Sequence, residues 1–275
     1  MKSPPSSPVP IPLISFDDLL ACYPVGDHHM GMLAWPEETG DAAYNLDRSE
    51  KLLCRAMDYL VESAPAAKQC LVPLLGDFFH YQSYAPLSES GHILDADSRF
   101  QRMIRIGIRT IRYLIKRALE KHEIVHVILE LGNHDRSVMA IFMEMFYMHY
   151  ENDERVQIDR SPRNVHVHEF GVNMIATHHG DKIKLQRLLS VLASDWPQVW
   201  GRTKYRRVLT GHVHHDKLVD LGDLKVETFG VLAPKDAYAA NNGWRSEQSM
   251  QAIYFHRTLG EAGRNIARPE MFDEP

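Results

Sequence analysis

Four stretches of this chain place a glycine and then carboxylate, amide or imidazole groups directly behind an apolar run: VGDHHMG at 25–31, LLGDFFH at 74–80, ELGNHDRS at 130–137 and LTGHVHH at 209–215. ATHHG at 176–180 has the same flavour. Side chains along a strand alternate faces, so Asp27 and His29 are expected to point one way and His28 the other. The same arithmetic pairs His212 with His214 and turns Val213 into the packing. Asp77 and Asn133 follow apolar runs, at the strand ends where α/β sheets build their sites. His179 also ends such a run, and the glycine after it lets the chain turn beside a ligand. Taken alone, an Asp after Gly is usually a turn residue and a single His a surface or satisfied core group. The recurrence in complementary order at several strand ends points instead to a metal centre. Its mixed nitrogen and oxygen donors suit manganese, iron, zinc or nickel better than calcium or magnesium alone.

The elements that must position these residues can be read from periodicity. QCLVPLLGD and IVHVILEL read as strands ending at Gly76 and Gly132, with helices over 44–63 and about 97–121 before them. SFDDLL reads as a short helix capped by Ser15, and Pro24 is awkward for a central strand because it removes a ladder hydrogen bond. Residues 137–150 form a helix apolar on nearly every side, which implies burial on more than one face or a subunit interface in a homo-oligomer. Strands dominate thereafter: VQID, NVHVHEF, VNMIATHHG, RRVLTG, a hairpin around Gly222 and Asp223, and MQAIYFHR, with a helix at 182–195. Strand–helix alternation followed by strand-rich meanders suggests a layered α/β fold with two sheets. Residues 1–12 read as a disordered proline-rich tail, 13–258 as one domain and 259–275 as a C-terminal tail.

With 275 residues, 44% hydrophobic and 24% charged, the chain is long enough for one sizeable core. No apolar run approaches the roughly 20 residues that span a bilayer, and prolines interrupt the N-terminus where a secretory segment would lie, so a cytoplasmic protein is expected. Three cysteines without CxxC spacing are a poor disulfide framework. A net charge of −5 argues against a uniformly cationic nucleic-acid protein but leaves the placement of the cations open.

The order Asp-x-His, Gly-Asp-x-x-His, Gly-Asn-His-Asp, His-Gly, Gly-His-x-His resembles the calcineurin-like metallophosphoesterase superfamily over about residues 25–215. The resemblance implies a four-layer α/β/β/α sandwich of two facing mixed sheets flanked by helices. It also implies two metals, most commonly manganese: one on Asp27, His29, Asp77 and His214, the other on Asp77, Asn133, His179 and His212. Two divalent ions about 3.5–4 Å apart activate a bridging hydroxide for in-line attack on phosphorus. His134 would stabilise the phosphorane charge or protonate the leaving oxygen. Asp135 would either orient a neighbouring group or simply cap the following helix.

His80 stands where protein phosphatase and cyclic-nucleotide branches of that superfamily carry Asp. In this respect GDFFH resembles the SbcD-type repair exonucleases, where such a His handles the DNA phosphate; otherwise it is a histidine opening a loop. At about 100° per residue, Arg102, Arg105, Arg109, Arg112 and Lys116 share one face of the 97–121 helix. A stripe of one sign suits a phosphate backbone, unless acids elsewhere pair with it. GRTKYRR at 201–207 adds cations beside Tyr205 and Trp200, whose rings would stack on bases or be buried. The gap between the first two motifs is about twice that of compact family members, and LAWPEETGDAAYNLDR fills part of it, where it can shape the substrate opening. The build lacks room for the capping and ATPase-docking segments of the large repair nucleases and is similar to small phage-type members.

The expectation is therefore a metal-dependent phosphodiesterase acting on DNA, a nuclease. The alternatives are a phosphomonoesterase or cyclic-nucleotide diesterase with a closed pocket, and a catalytically dead binding module.

Overall fold

The computed structural model describes residues 9–89 and 91–272. The expectation for the proline-rich start lies outside the described residues for 1–8; Val9 itself packs on the core and accepts a hydrogen bond from Arg155 at 2.6 Å. Eleven strands form two mixed sheets. In the first, β1 (Phe16–Cys22), β2 (Ala67–Leu74), β3 (Ile124–Leu129) and β4 (Val156–Ile158) run parallel. β10 (Met250–His256) joins β1 antiparallel, and β11 (Gly260–Ala267) extends the edge. The second sheet has the order β5 (His166–Phe170), β6 (Asn173–His178), β7 (Tyr205–Thr210), β9 (Lys225–Thr228), β8 (Lys217–Asp220), with β6, β7 and β9 parallel.

Helices cover the outer faces. α2 (Leu46–Ser63), α3 (Phe100–Leu119) and α4 (Arg136–Tyr150) pack on the first sheet, α5 (Leu185–Asp195) and α6 (Pro197–Arg202) on the second. Leu20, Cys22, Leu71, Ile128 and Ile253 of the first sheet meet Phe170, Ile175, Leu209 and Phe229 of the second, which makes the expected four-layer sandwich. Two short helices, α1 (Pro36–Thr39) and α7 (Ala237–Asn241), lie outside the helices that the periodicity predicts.

Four expectations need correction. SFDDLL is strand, not helix: β1 hydrogen-bonds to β2 and β10 on both sides, and that pairing overrides a local helix propensity too short to hold by itself. Pro24 falls just past the end of β1 at Cys22, and the Tyr23 and Val25 amides on either side of it still donate to Leu71 O at 2.8 Å and Pro73 O at 2.9 Å of β2. Residues 260–267 are not a tail, since β11 pairs with β10 from Met250↔Ala267 to His256↔Gly260. α4 buries Val138, Met139, Phe142, Met143 and Phe146 but exposes Ile141 and Met148, so it is covered on one face only. Among the described residues no helix is long and apolar enough to cross a membrane.

Candidate metal centre

All the motif residues gather past the carboxyl ends of parallel strands: Asp27 and His29 after β1, Asp77 after β2, Asn133 and His134 after β3, His179 after β6, His212 and His214 after β7. Two mixed carboxylate–imidazole clusters result, Asp27–His29–His214 and Asp77–His179–His212, beside a group of imidazoles alone, His29–His80–His134; in each, the ligand atoms lie within 4.8 Å of one another. His29 Nε2 and His214 Nε2 approach to 3.1 Å, and His214 Nε2 lies 3.1 Å from Asp27 Oδ2. In the second cluster His179 Nε2 is 3.3 Å from Asp77 Oδ2 and 3.0 Å from Asn133 Oδ1. Asp77, which the superfamily resemblance would share between both metals, groups here with His179 and His212.

The route to this convergence differs from strand alternation. Residues 27–29 and 211–215 are irregular backbone, and His29, Asp77, His212 and His214 adopt positive φ of 48°, 48°, 72° and 57°. Among the described residues these are the non-glycine positions in the left-handed region, and all are candidate ligands. Such conformations cost of order 1–3 kcal/mol each and persist where the surroundings over-determine them. His28 does point away, as expected: its Nε2 meets Ser49 Oγ at 2.9 Å and its ring lies against Phe78.

The recurring glycines have a steric reason. A Cβ on Gly132 would run into the Asp77 carboxylate and backbone nitrogen, and one on Gly211 into the Asp27 carboxylate. Gly76, Gly132 and Gly211 thus each leave room for a ligand that another motif supplies, His179, Asp77 and Asp27 respectively.

Surrounding bonds orient the ligands. The His179 Nδ1–H donates to Leu75 O at 2.8 Å, which turns Nε2 toward the centre, the arrangement usual for metal-binding imidazoles. The His212 amide donates to both Asp27 oxygens at 2.9 Å, and the His134 amide to Asp77 Oδ1 at 2.7 Å. Asp27 and Asp77 are buried, at 0% and 2% exposure, so their charge needs compensation from within. Burial pushes the Asp77 carboxyl up, but the His179 bond and the positive imidazoles nearby bring it below its ordinary value, while the same pairing raises His179. Burial, then the neighbouring imidazoles of His214, His134 and His80, hold His29 well below its ordinary value, hence neutral and able to ligate. Buried carboxylates, imidazoles and an amide oxygen converging in two groups fit two divalent cations.

His134 sits beside the clusters, partly open to solvent. Its Nδ1–H donates to His80 O at 2.8 Å, which fixes the ring, and Nε2 makes no hydrogen bond among the described residues. His80 is buried, with Nδ1 at 3.2 Å from His29 Nδ1, so it supports a ligand and is not open to a long substrate. Asp135 begins α4 without capping it. Its carboxylate instead accepts from the Phe79 amide at 3.0 Å and the Gly132 amide at 3.1 Å, tying the second motif to the third. Burial, then the negative charge of Asp77, raises Asp135 to about 8.

The cationic stripe is not brought into the centre. It lies on the outer face of α3, where Arg102 pairs with Asp47 at 2.9 Å, Arg109 with Glu50, and Arg112 acts on Tyr150. A single helix's periodicity cannot show that α2 lays Asp47 and Glu50 alongside. Arg105 and Lys116 make no ion pair among the described residues. In the GRTKYRR segment Arg206 lies 4.2 Å over Trp200 and Arg207 pairs with Glu227 and Glu261, which favours the structural reading of those residues. Sequence reasoning missed the backbone carbonyls of Leu75 and His80, which carry no side-chain signal.

Neither a protein-family profile nor a curated protein matches the chain. The solved structures similar to it include a conserved uncharacterized protein, a predicted phosphoesterase, from Streptococcus pneumoniae TIGR4, at 11% identity and a TM-score of 0.40, covering 92% of this chain and 91% of that one. Vps29 from Chaetomium thermophilum aligns at 12% identity and 0.40, covering 90% and 96%. Wild-type Vps29 from Entamoeba histolytica complexed with zinc aligns at 11% and 0.37, covering 90% and 99%.

Proposed function

We propose that the chain is a two-metal phosphodiesterase acting on nucleic acid, with manganese as its best-fitting ion and iron, zinc or nickel as substitutes. The observation that carries this reading is the pair of largely buried carboxylate–imidazole clusters, the second joined by Asn133 through His179, with the His134 ring fixed beside them. Two divalent ions there supply Lewis-acid charge for the phosphoryl oxygens and lower the pKa of water. The chain's own residues do the rest. Asn133 completes its ligand set without adding charge. Leu75 O and the His212 amide hold His179 and Asp27 in their ligating orientation. His134, anchored through Nδ1, presents Nε2 to donate a hydrogen bond to the phosphoryl group or a proton to the departing oxygen. Asp135 clamps the Gly76 and Gly132 loops against each other, and His80 steadies His29.

DNA is the proposed substrate, with Arg105 and Lys116 as the cations of α3 left for backbone phosphates. A second reading has a specific observation in its favour: Arg102 and Arg109 are engaged by acids of α2, which shortens any backbone track and suits a small diester or a phosphomonoester. Cleavage of single- or double-stranded DNA alongside a chromogenic diester supports the first reading. Cleavage of small esters with DNA left intact supports the second. Asp77→Ala should abolish turnover of every substrate, and retained activity would contradict the two-metal reading.

A further inference from the structure

Residues 33–44, the first part of LAWPEETGDAAYNLDR, lead from the first motif through α1 to the start of α2. Of the chain's four tryptophans, Trp196 and Trp200 are partly covered and lie under Arg163 and Arg206. Trp35 and Trp244 are instead 56% and 58% exposed. Tyr238, 63% exposed, meets Trp244 edge-on at 5.5 Å between centroids. Trp35 precedes α1, Tyr238 lies in α7 and Trp244 follows it. α1 and α7 pack on one another, and Asp41 ties their segments together by accepting from Lys235 at 3.2 Å and Gln248 at 3.4 Å.

Both segments spring from the metal loops. The Met32 amide donates to His29 O at 2.9 Å as the chain leaves the first motif. The other segment leaves at Gly230, whose carbonyl lies 2.7 Å from where a Cβ on Gly26 would stand. Asp216, just past the last motif, accepts from the Gly230 amide at 2.8 Å and from Gln251 at 3.2 Å. The Asp236 carboxylate, which caps α7, is close enough to act electrostatically on His214. The two segments that carry the exposed rings therefore both leave from the loops of the metal centre.

We propose that segments 33–44 and 232–248 form its recognition rim, and that Trp35, Tyr238 and Trp244 stack an unpaired nucleobase beside the scissile phosphate. This rests on the phosphodiesterase reading above. Exposed aromatic rings grouped at a site are a feature of binding surfaces, and flat rings select flat partners where aliphatic side chains would not. Base-on-ring stacking tolerates any base but requires it to be out of a duplex. The charge at the rim agrees: Arg245 is exposed, donates only to the Trp244 and Ala240 carbonyls and has no carboxylate partner among the described residues, so it faces a neighbouring phosphate unopposed. Recognition of the base then comes from the rim, with Arg105 and Lys116 of α3 left to backbone phosphates, and the preferred substrate is single-stranded or frayed.

The test compares three manganese-supported diesters with one leaving group: thymidine 5′-(p-nitrophenyl phosphate), methyl p-nitrophenyl phosphate and hexyl p-nitrophenyl phosphate. Wild type should prefer the thymidine ester. In W35A and W244A the ratio of kcat/KM for the thymidine ester to that for the methyl ester should fall about tenfold (~1.4 kcal/mol), through KM, while W35F and W244F keep it. An unmoved ratio in both alanine variants, or preference for the hexyl ester, overturns the nucleobase assignment. If wild type cleaves none of the three, the phosphodiesterase reading fails, and the rim is judged by binding. Thymidine 5′-monophosphate should quench tryptophan fluorescence saturably in wild type and not in W35F/W244F; absence of saturable quenching in wild type overturns the rim.

Discussion

At the residue scale, catalysis and metal binding should separate. His134→Ala removes a group anchored to His80 O but absent from either two-metal ligand set, so turnover should fall about 10²-fold or more with metal content unchanged. Elemental analysis beside kinetics checks this, and metal lost in parallel with activity would make His134 a ligand. Asp135→Asn exchanges one of two buried acceptors for an amide group facing a backbone N–H, which should destabilise the fold by about 1–3 kcal/mol in denaturant unfolding. An unchanged midpoint would mean that the loops do not depend on this clamp. The ligand residues themselves were legible because glycine, carboxylate and imidazole recur in order. How they converge was not, since left-handed φ at His29 and His214 is set by the loops around them and leaves no mark in a residue's own type.

At the scale of elements, the sequence revealed most where a segment's pattern and its environment agree. β2, β3 and α3 follow their hydrophobic periods, whereas β1 takes its state from neighbours on both sides, and β11 from β10 alone. The α3 stripe was legible as a stripe, but its pairing depended on α2. Replacing Arg105 and Lys116 with Gln should therefore lower the salt dependence of DNA binding by a slope of no more than about 2, one per phosphate contact, while turnover of a small diester stays as it was. A steeper loss, or equal loss on the small diester, would contradict this. Directly after β3 comes Glu130, buried beside Thr177 and 3.9 Å from His166. Burial raises its carboxyl to about 7 from an ordinary 4.5, against the opposing effect of His166. The folded protein thus holds a proton that the unfolded chain releases, so this contribution is full below about pH 4.5 and is lost as pH rises toward 7. Glu130→Gln should flatten that fall in unfolding free energy measured at pH 5 and 7; an unaltered slope would contradict it.

At the scale of the whole molecule, two sheets bring loops far apart in sequence to one end of a sandwich. Buried carboxylates there make the fold's stability depend on bound cations. At a metal concentration about 100 times the dissociation constant, each site should contribute about 2.7 kcal/mol, so chelation should lower Tm by about 5–10 °C. The drop should shrink at acidic pH, where protons compete with metal for the imidazoles and carboxylates. Differential scanning fluorimetry with and without chelator checks both statements. The most direct measurement is turnover of a chromogenic phosphodiester, its matched phosphomonoester, and labelled single- and double-stranded DNA, each with manganese and with chelator. Manganese-dependent cleavage of the diester and of DNA, abolished by chelator, is the expected result; an intact diester under manganese, or cleavage that persists with the metal removed, would contradict a two-metal phosphodiesterase.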